Sequence, residues 1–227
     1  MKINLYMIKA YPFSAFPSEP GGHRQRRSIF QLNRRDIDSF FKNDTSFDWM
    51  YPEHFQLLSL KHWTPLAIAR KSASFLAEPG ARVLDIGSGI GKFCLASGYH
   101  FPGTFFHGIE QRHELFHQAA DAKRYMNLPN VDFLHGNITQ INFSEFDHFY
   151  FYNSFYENVD QANQIDDTIE LSKGLYDYYT QYLHTALSAK PAGTRLVTFH
   201  SLEDEIPPEY QLASVSWDTL LKMWIKA

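Results

Sequence analysis

The sequence predicts an α/β fold: a doubly wound, mostly parallel seven-stranded sheet with a C-terminal antiparallel strand pair, helices on both faces, and an irregular to helical N-terminal extension. Three observations carry that prediction. Short apolar runs alternate with helical stripes from Pro65 onward. The first of these runs ends in a glycine-rich turn. The last two runs follow one another with no helical stripe between them. Alternation of strand and helix builds βαβ units, whereas two neighbouring strands joined by a short turn pair antiparallel.

The elements follow in chain order. Residues 1–30 are broken by Pro12, Pro17, Pro20, Gly21 and Gly22 and read as irregular. Ile37, Phe40 and Phe41 fall at i, i+3 and i+4, the spacing of a short amphipathic helix. Residues 1–60 are therefore assigned to an extension and lid, and residues 61–227 to one domain. Pro65 to Ala77 is helical in pattern, with Thr64 as N-cap, Pro65 in the first turn and Glu78-Pro79-Gly80 as the stop. Arg82–Ile86 is the first strand, Lys92–Tyr99 a helix and Thr104–Ile109 the second strand. His113–Met126 carries Leu115, Phe116, Ala119, Ala120 and Ala122 on one helical side. Val131–Leu134, Phe149–Tyr152 and Arg195–Phe199 are three further strands, with a helix over Thr168–Leu187 between the last two. Tyr210–Trp217 and Leu220–Ile225 form the terminal pair.

Composition narrows the function classes. With 227 residues, 44% hydrophobic and 20% charged, the chain is long and apolar enough for one packed core and is not disordered. A formal net charge of -4 disfavours a protein that lives by coating nucleic acid. Cys94 is the single cysteine, which excludes an intrachain disulfide or a multi-cysteine metal site and suits a reducing, cytoplasmic setting. No stretch reaches the roughly 18–20 apolar residues of a membrane helix. The 11 His are read as forming no paired helical pattern, so no metal is expected. Aromatics are unusually many, at 16%, and crowd between Phe146 and Tyr156.

The chemistry starts at Val83-Leu-Asp-Ile-Gly-Ser-Gly-Ile-Gly91. Gly87, Gly89 and Gly91 stand between a strand and its helix, where glycine lets a ligand approach the backbone. A dinucleotide fingerprint would have its last glycine where Lys92 stands, and a phosphate-binding loop would have Ser or Thr where Phe93 stands. The pattern is instead D-x-G-x-G-x-G with Asp85 at the strand end. Glu110 and Asn137 end the next two strands.

Asp85-Ile-Gly-Ser-Gly-Ile-Gly91 resembles the first motif of the class I, seven-stranded S-adenosylmethionine-dependent methyltransferases, and the resemblance runs from about Pro65 to the C-terminus. It implies a sheet closed by one reversed strand and S-adenosylmethionine as cofactor. It implies that the loop Gly87-Ser88-Gly89-Ile-Gly91 passes under the methionine part and that Asp85 orients the amino group. It implies that Glu110, with Gln111 beside it, takes the ribose hydroxyls, and that Asn137 and Ile138 meet the adenine.

The loop after the fourth strand, Asn153-Ser-Phe-Tyr156, is similar to the Asn/Asp-Pro-Pro-Tyr/Phe motif of amino methyltransferases, with Ser154 and Phe155 in place of both prolines. It is also similar, over a shorter stretch, to the Asn-x-Phe loop of the non-SET histone lysine methyltransferases. This resemblance implies Asn153 and Tyr156 as the catalytic pair, holding the acceptor amine and walling the site. Phe155 and Trp63 are expected to line the substrate. The implied activity is methyl transfer to an amine of a protein lysine, a nucleobase or a small molecule. A non-catalytic cofactor-binding interaction module is the alternative, and Lys92 disfavours a nicotinamide-dependent oxidoreductase. Arg24, Arg26, Arg27, Arg34 and Arg35 are expected to be solvated, with contact to nucleic acid the less favoured reading. The sequence assigns neither the acceptor nor the oligomeric state.

Overall fold

A computed structural model of the chain describes residues 34–201 and 203–227. Three helices, α1 (Arg34–Phe40), α2 (Asp44–Asp48) and α3 (Glu53–His62), precede α4 (Leu66–Leu76). Then come β1 (Arg82–Ile86), α5 (Lys92–His100), β2 (Phe105–Glu110), α6 (His113–Met126) and β3 (Val131–His135). The chain continues through β4 (His148–Phe151), α7 (Lys173–Ser188), β5 (Arg195–Phe199), β6 (Tyr210–Ser216) and β7 (Leu221–Lys226). Arg24, Arg26 and Arg27 lie outside the described residues.

The strands form one sheet in the order β3-β2-β1-β4-β5-β7-β6. The first five pair in parallel, and β7 runs antiparallel to both β5 and β6. The expected sheet, with its reversed strand near the C-terminus, is thus present. The central strands β1, β4 and β5 are almost wholly buried because both of their faces are covered. Val83 and Tyr150 pack into the side covered by α4, α5 and α6, while Leu84, Ile86, Phe149 and Phe151 pack into the side covered by α7. Leu183 and Leu187 of α7 are fully buried there, and each such side chain contributes about 1.5–3 kcal/mol of burial. Most of the aromatic excess is core: Phe93 and Tyr150 stack with centroids 3.9 Å apart, and Phe143 and Phe149 at 5.3 Å.

Three local readings need correction. The helix predicted over Thr168–Leu187 begins at Lys173, because Ser172 Oγ accepts the Leu175 N–H as N-cap. Upstream, the Thr168 N–H and hydroxyl both donate to Asp166 Oδ1, a local turn that competes with helix. The fourth strand ends at Phe151, so Tyr152 already belongs to the loop. Thr64 does not cap α4; its hydroxyl meets the Tyr150 hydroxyl at 3.1 Å. The first α4 amide is capped from another helix, by Asp44 Oδ1 on Leu66 N at 2.9 Å.

That cap shows how the extension is attached. Lys92, at the start of α5 and only 2% exposed, donates to Asp44 and Asp48 at 2.8 Å and to Ser59 Oγ at 3.2 Å. The Tyr51 hydroxyl donates to the Ile90 carbonyl at 2.9 Å, and Trp63 Nε1 to the Phe55 carbonyl at 2.8 Å. The division drawn at residue 60 falls inside α3, and α2 and α3 pack directly on the segment that follows β1.

Candidate functional site

Strand order reverses between β1 and β4: β2 and β3 lie on one side, β5 on the other. The connections leave in opposite directions there, so a crevice opens beyond the carboxyl ends of the two strands. A cavity of about 680 Å³ occupies that place. Its lining includes Asp85, the glycine turn, Glu110, Asn137 and the loop after β4.

The glycine turn is more constrained than its sequence suggests. Gly87, Gly89 and Gly91 have φ of +73°, +53° and +81°, the left-handed region where a Cβ is costly. A Cβ on Gly87 would overlap Ser154, one on Gly89 would stand 2.7 Å from the Trp63 ring, and one on Gly91 would overlap Phe133. The glycines thus serve the close approach of this chain's own side chains, a reason the sequence reading had assigned to a ligand. The Ser154 hydroxyl also donates to the Ile86 carbonyl, locking the loop after β4 onto the end of β1. Gly87→Ala is therefore expected to cost about 1–3 kcal/mol in stability, from the left-handed φ and the displaced Ser154. A thermal melt within 1 °C of the parent would contradict this.

Two buried carboxylates face the cavity from neighbouring strand ends. Asp85 is 3% exposed. Burial pushes its carboxyl up to about 8; a contact from the Cys94 thiol, 3.6 Å away, opposes the rise and the nearby Glu110 adds to it. Glu110 is raised too, first by burial, while the amides of Arg112 and Gly89 pull it back. Those amides donate to its two oxygens, Gly89 N to Oε2 at 2.9 Å and Arg112 N to Oε1 at 2.8 Å. Each oxygen keeps a further lone pair for a hydroxyl donor.

Asn137 does two jobs. Its oxygen accepts the Thr139 N–H as cap of the 3₁₀ turn Ile138–Gln140, and Gln140 closes a capping box. Its amide donates to Gln111 Oε1 at 3.0 Å and to the Tyr179 hydroxyl at 2.9 Å. Gln111 and the buried Ile138 complete this end of the cavity.

At the other end, Asn153 sits at φ +41°, a strained turn for a non-glycine residue. Its carbonyl accepts the Tyr156 N–H at 3.0 Å, while its side-chain oxygen is buried with no partner. Tyr156 is 45% exposed at the rim. Phe155 lies mostly in the core, its ring 4.9 Å from Phe151 and 5.6 Å from Tyr179. Trp63 is likewise buried, with its edge against Gly89. All the residues expected at the site line this one cavity except Gly91, whose carbonyl and φ shape the turn into α5.

Sequence reasoning missed Arg112, Glu157, His62, Tyr152 and His200, which also line it. No motif marks them. A non-glycine left-handed φ, +58° at His200, is invisible in the sequence. The reading of the histidines was wrong in its premise: His113-Glu-Leu-Phe-His117 does have H-E-x-x-H spacing. On α6 the two Nε2 atoms lie 2.8 Å apart on an exposed face. Among the described residues, no group of three or more His, Cys, Asp or Glu is arranged to hold a metal ion.

Comparisons with known proteins bear on this site. Residues 80–151, spanning β1 to β4, match the model of a family described as putative methyltransferase. No curated protein matches the chain by sequence. Among solved structures, TrmN from Thermus thermophilus is 20% identical with a TM-score of 0.52, over 74% of this chain and 50% of that one. An S-adenosyl-L-homocysteine complex of a SAM-dependent methyltransferase from Thiobacillus denitrificans is 21% identical, with a TM-score of 0.43 over 65% of this chain and 54% of that one. Coclaurine N-methyltransferase bound to N-methylheliamine and S-adenosyl-L-homocysteine is 15% identical, with a TM-score of 0.48 over 75% and 53%. The chain spans about half the length of each of these structures. The likeness to TrmN shows the fold.

Proposed function

We infer that this chain is a class I S-adenosylmethionine-dependent methyltransferase that acts on an amine. The observation that carries the reading is the convergence of Asp85, Glu110 and Asn137, from three successive strand ends, on one cavity at the switch point. The side chains suit the cofactor. Asp85 is a buried acid held near neutrality for want of a cation, which an ammonium supplies. Glu110 offers paired acceptors to vicinal hydroxyls, and the Gln111 amide, held in place by Asn137, offers N–H donors to a purine edge.

When bound, S-adenosylmethionine supplies an electrophilic methyl group. The chain's own residues orient the acceptor and keep the site dry. Asn153 is the natural anchor for an amine N–H, since it lines the cavity and its side-chain oxygen has no partner. Tyr156 and Tyr152 form aromatic walls that suit a cationic or flat group. His62 and His200 line the same cavity, and burial lowers both below the usual imidazole value. A neutral imidazole at either position can accept a hydrogen bond from an amine N–H. Asn153 and Tyr156 remain our catalytic assignments, with Phe155 and Trp63 supporting the acceptor side as packed walls. Among the described residues, no helix is long and apolar enough to cross a membrane. We place the protein in the cytoplasm on the strength of its single buried cysteine, and its net charge favours an acceptor other than nucleic acid.

Calorimetric titration with S-adenosylmethionine, S-adenosylhomocysteine and NAD tests the reading. The first two are expected to bind and NAD is not; the reverse would sink the methyltransferase assignment. Glu110→Ala is expected to weaken S-adenosylhomocysteine binding by about 1.5–3 kcal/mol, the scale of hydrogen bonds to a charged group. An unchanged affinity removes Glu110 from the site. Incubation with methyl-labelled cofactor and cell fractions then separates an enzyme from a non-catalytic module, which transfers no label to any fraction.

A further inference from the structure

Arg112 stands where the two halves of the cavity meet. It lies two residues beyond Glu110 and is only 5% exposed. Its backbone N–H donates to Glu110 Oε1 at 2.8 Å. Its guanidinium crosses to the loop after β4, with Nη2 on Glu157 Oε2 at 2.7 Å and Nε on Asp166 Oδ1 at 2.9 Å. Those two acids in turn hold the loop's backbone. Glu157 Oε2 accepts the Ile165 N–H at 3.1 Å, and Asp166 Oδ1 accepts the Thr168 N–H at 3.0 Å. One residue therefore joins the carboxylate expected to bind the cofactor's ribose to the whole of the segment 157–168.

We propose that Arg112 is a positioning residue that couples occupancy at Glu110 to ordering of the acceptor loop, residues 157–168. The inference rests on the cofactor reading given above. A hydroxyl ligand fixes the Glu110 carboxylate, which fixes the Arg112 amide it accepts from. The guanidinium fork, planar and rigid, transmits that placement to two acids at once. Asn153 and Tyr156 precede the clamped segment directly, with Asn158 Nδ2 bonded to the Phe155 carbonyl at 2.9 Å and Asn158 Oδ1 accepting the Ser172 N–H at 3.3 Å. Filling the cofactor end thus steadies a clamp that is already in place around the acceptor pocket, and by linkage an acceptor tightens cofactor binding by the same factor. Other ties reach the loop, among them Ser154 to Ile86, the Tyr152 hydroxyl to the Lys61 carbonyl at 3.0 Å and Lys61 Nζ to Asn163 Oδ1 at 2.8 Å, but none of these touches Glu110.

Hydrogen exchange of the full chain with and without S-adenosylhomocysteine tests the coupling, alongside calorimetry on the same samples. In the parent protein the ligand is expected to slow exchange of residues 86–93 and of residues 157–168, each by roughly tenfold or more. In Arg112→Lys, which has no fork to span both acids, the glycine turn is expected to stay protected while protection of 157–168 falls to about twofold or less. Glu157→Gln, which keeps the size but not the charge, is expected to show the same split and serves if Arg112→Lys does not fold. Equal protection of 157–168 in parent and variants overturns the coupling, as does ligand binding that never protects the loop. Absence of any binding in the parent overturns the cofactor reading itself, and the coupling with it.

Discussion

Lys92→Met is expected to destabilise the protein by about 3–5 kcal/mol, the largest loss of stability from a single substitution argued for this chain. The lysine is buried, and its ammonium is shared by Asp44, Asp48 and the Ser59 hydroxyl. Methionine keeps the length and apolar stem of the side chain, so packing is nearly conserved. What is lost is the counter-charge. Asp48, 6% exposed, is left as a buried carboxylate without its cation, and this uncompensated charge dominates the cost. Asp44 is half-exposed and can turn to water, so it contributes less. The double variant Lys92→Met with Asp48→Asn removes the orphaned charge and is expected to recover more than half of the loss. Urea unfolding measures both. A shift below about 1 kcal/mol for the single variant, at unchanged m-value, rules out the ion pair as the anchor of the extension. Because Lys92 follows Gly91 directly, the single variant is also expected to weaken S-adenosylhomocysteine binding through a loosened glycine turn.

Lys92 also marks where the sequence could and could not be read. At the level of pattern it only argued against a dinucleotide fingerprint. Nothing in the sequence indicates that a lysine after the third glycine reaches back more than forty residues to two aspartates, since that pairing is made by the fold. The alternation of apolar runs and helical stripes was legible because period 2 and period 3.6 are local properties of the chain. So were the acids and the amide at strand ends, which stand in order at Asp85, Glu110 and Asn137. The long-range devices were not. Asp44 caps α4 from another helix, and Arg112 clasps two acids about fifty residues away. The start of α7 was misjudged because a helical stripe continues through Leu171, whereas the Asp166–Thr168 turn and the Ser172 cap decide the boundary. Gly87 and Gly89 were legible as glycines that something must approach closely; that Ser154 and Trp63 are what approach them is visible only in three dimensions.

The affinity for S-adenosylhomocysteine is expected to rise about tenfold from pH 6 to 7 and about fivefold from pH 7 to 8, because Asp85 must give up a proton to meet an ammonium. In the free protein that carboxyl stands at about 8, raised chiefly by burial. The native state therefore keeps a proton between roughly pH 4 and 8 that the unfolded chain, with an aspartate near 3.9, has already lost. Stability from this group is fully present below pH 4 and declines as pH rises through 8. At pH 7 the deficit amounts to about 4 kcal/mol if no ligand is bound. An ammonium reverses the sign locally, since its charge favours the carboxylate, and binding below pH 8 then expels close to one proton. Calorimetry in two buffers of different ionisation enthalpy reads that proton directly. As pH climbs further the ligand's own amine begins to deprotonate, so the affinity passes through a maximum rather than rising without limit. Asp85→Asn separates the two roles. It is expected to raise the stability of the free protein at pH 7 by about 2–4 kcal/mol, less the cost of an imperfectly paired amide. It is also expected to weaken ligand binding and flatten its pH profile, the opposition of stability and function found where a site stores an unfavourable group. A pH-independent affinity in the parent protein, with no proton released, means that Asp85 does not face the ligand's cation.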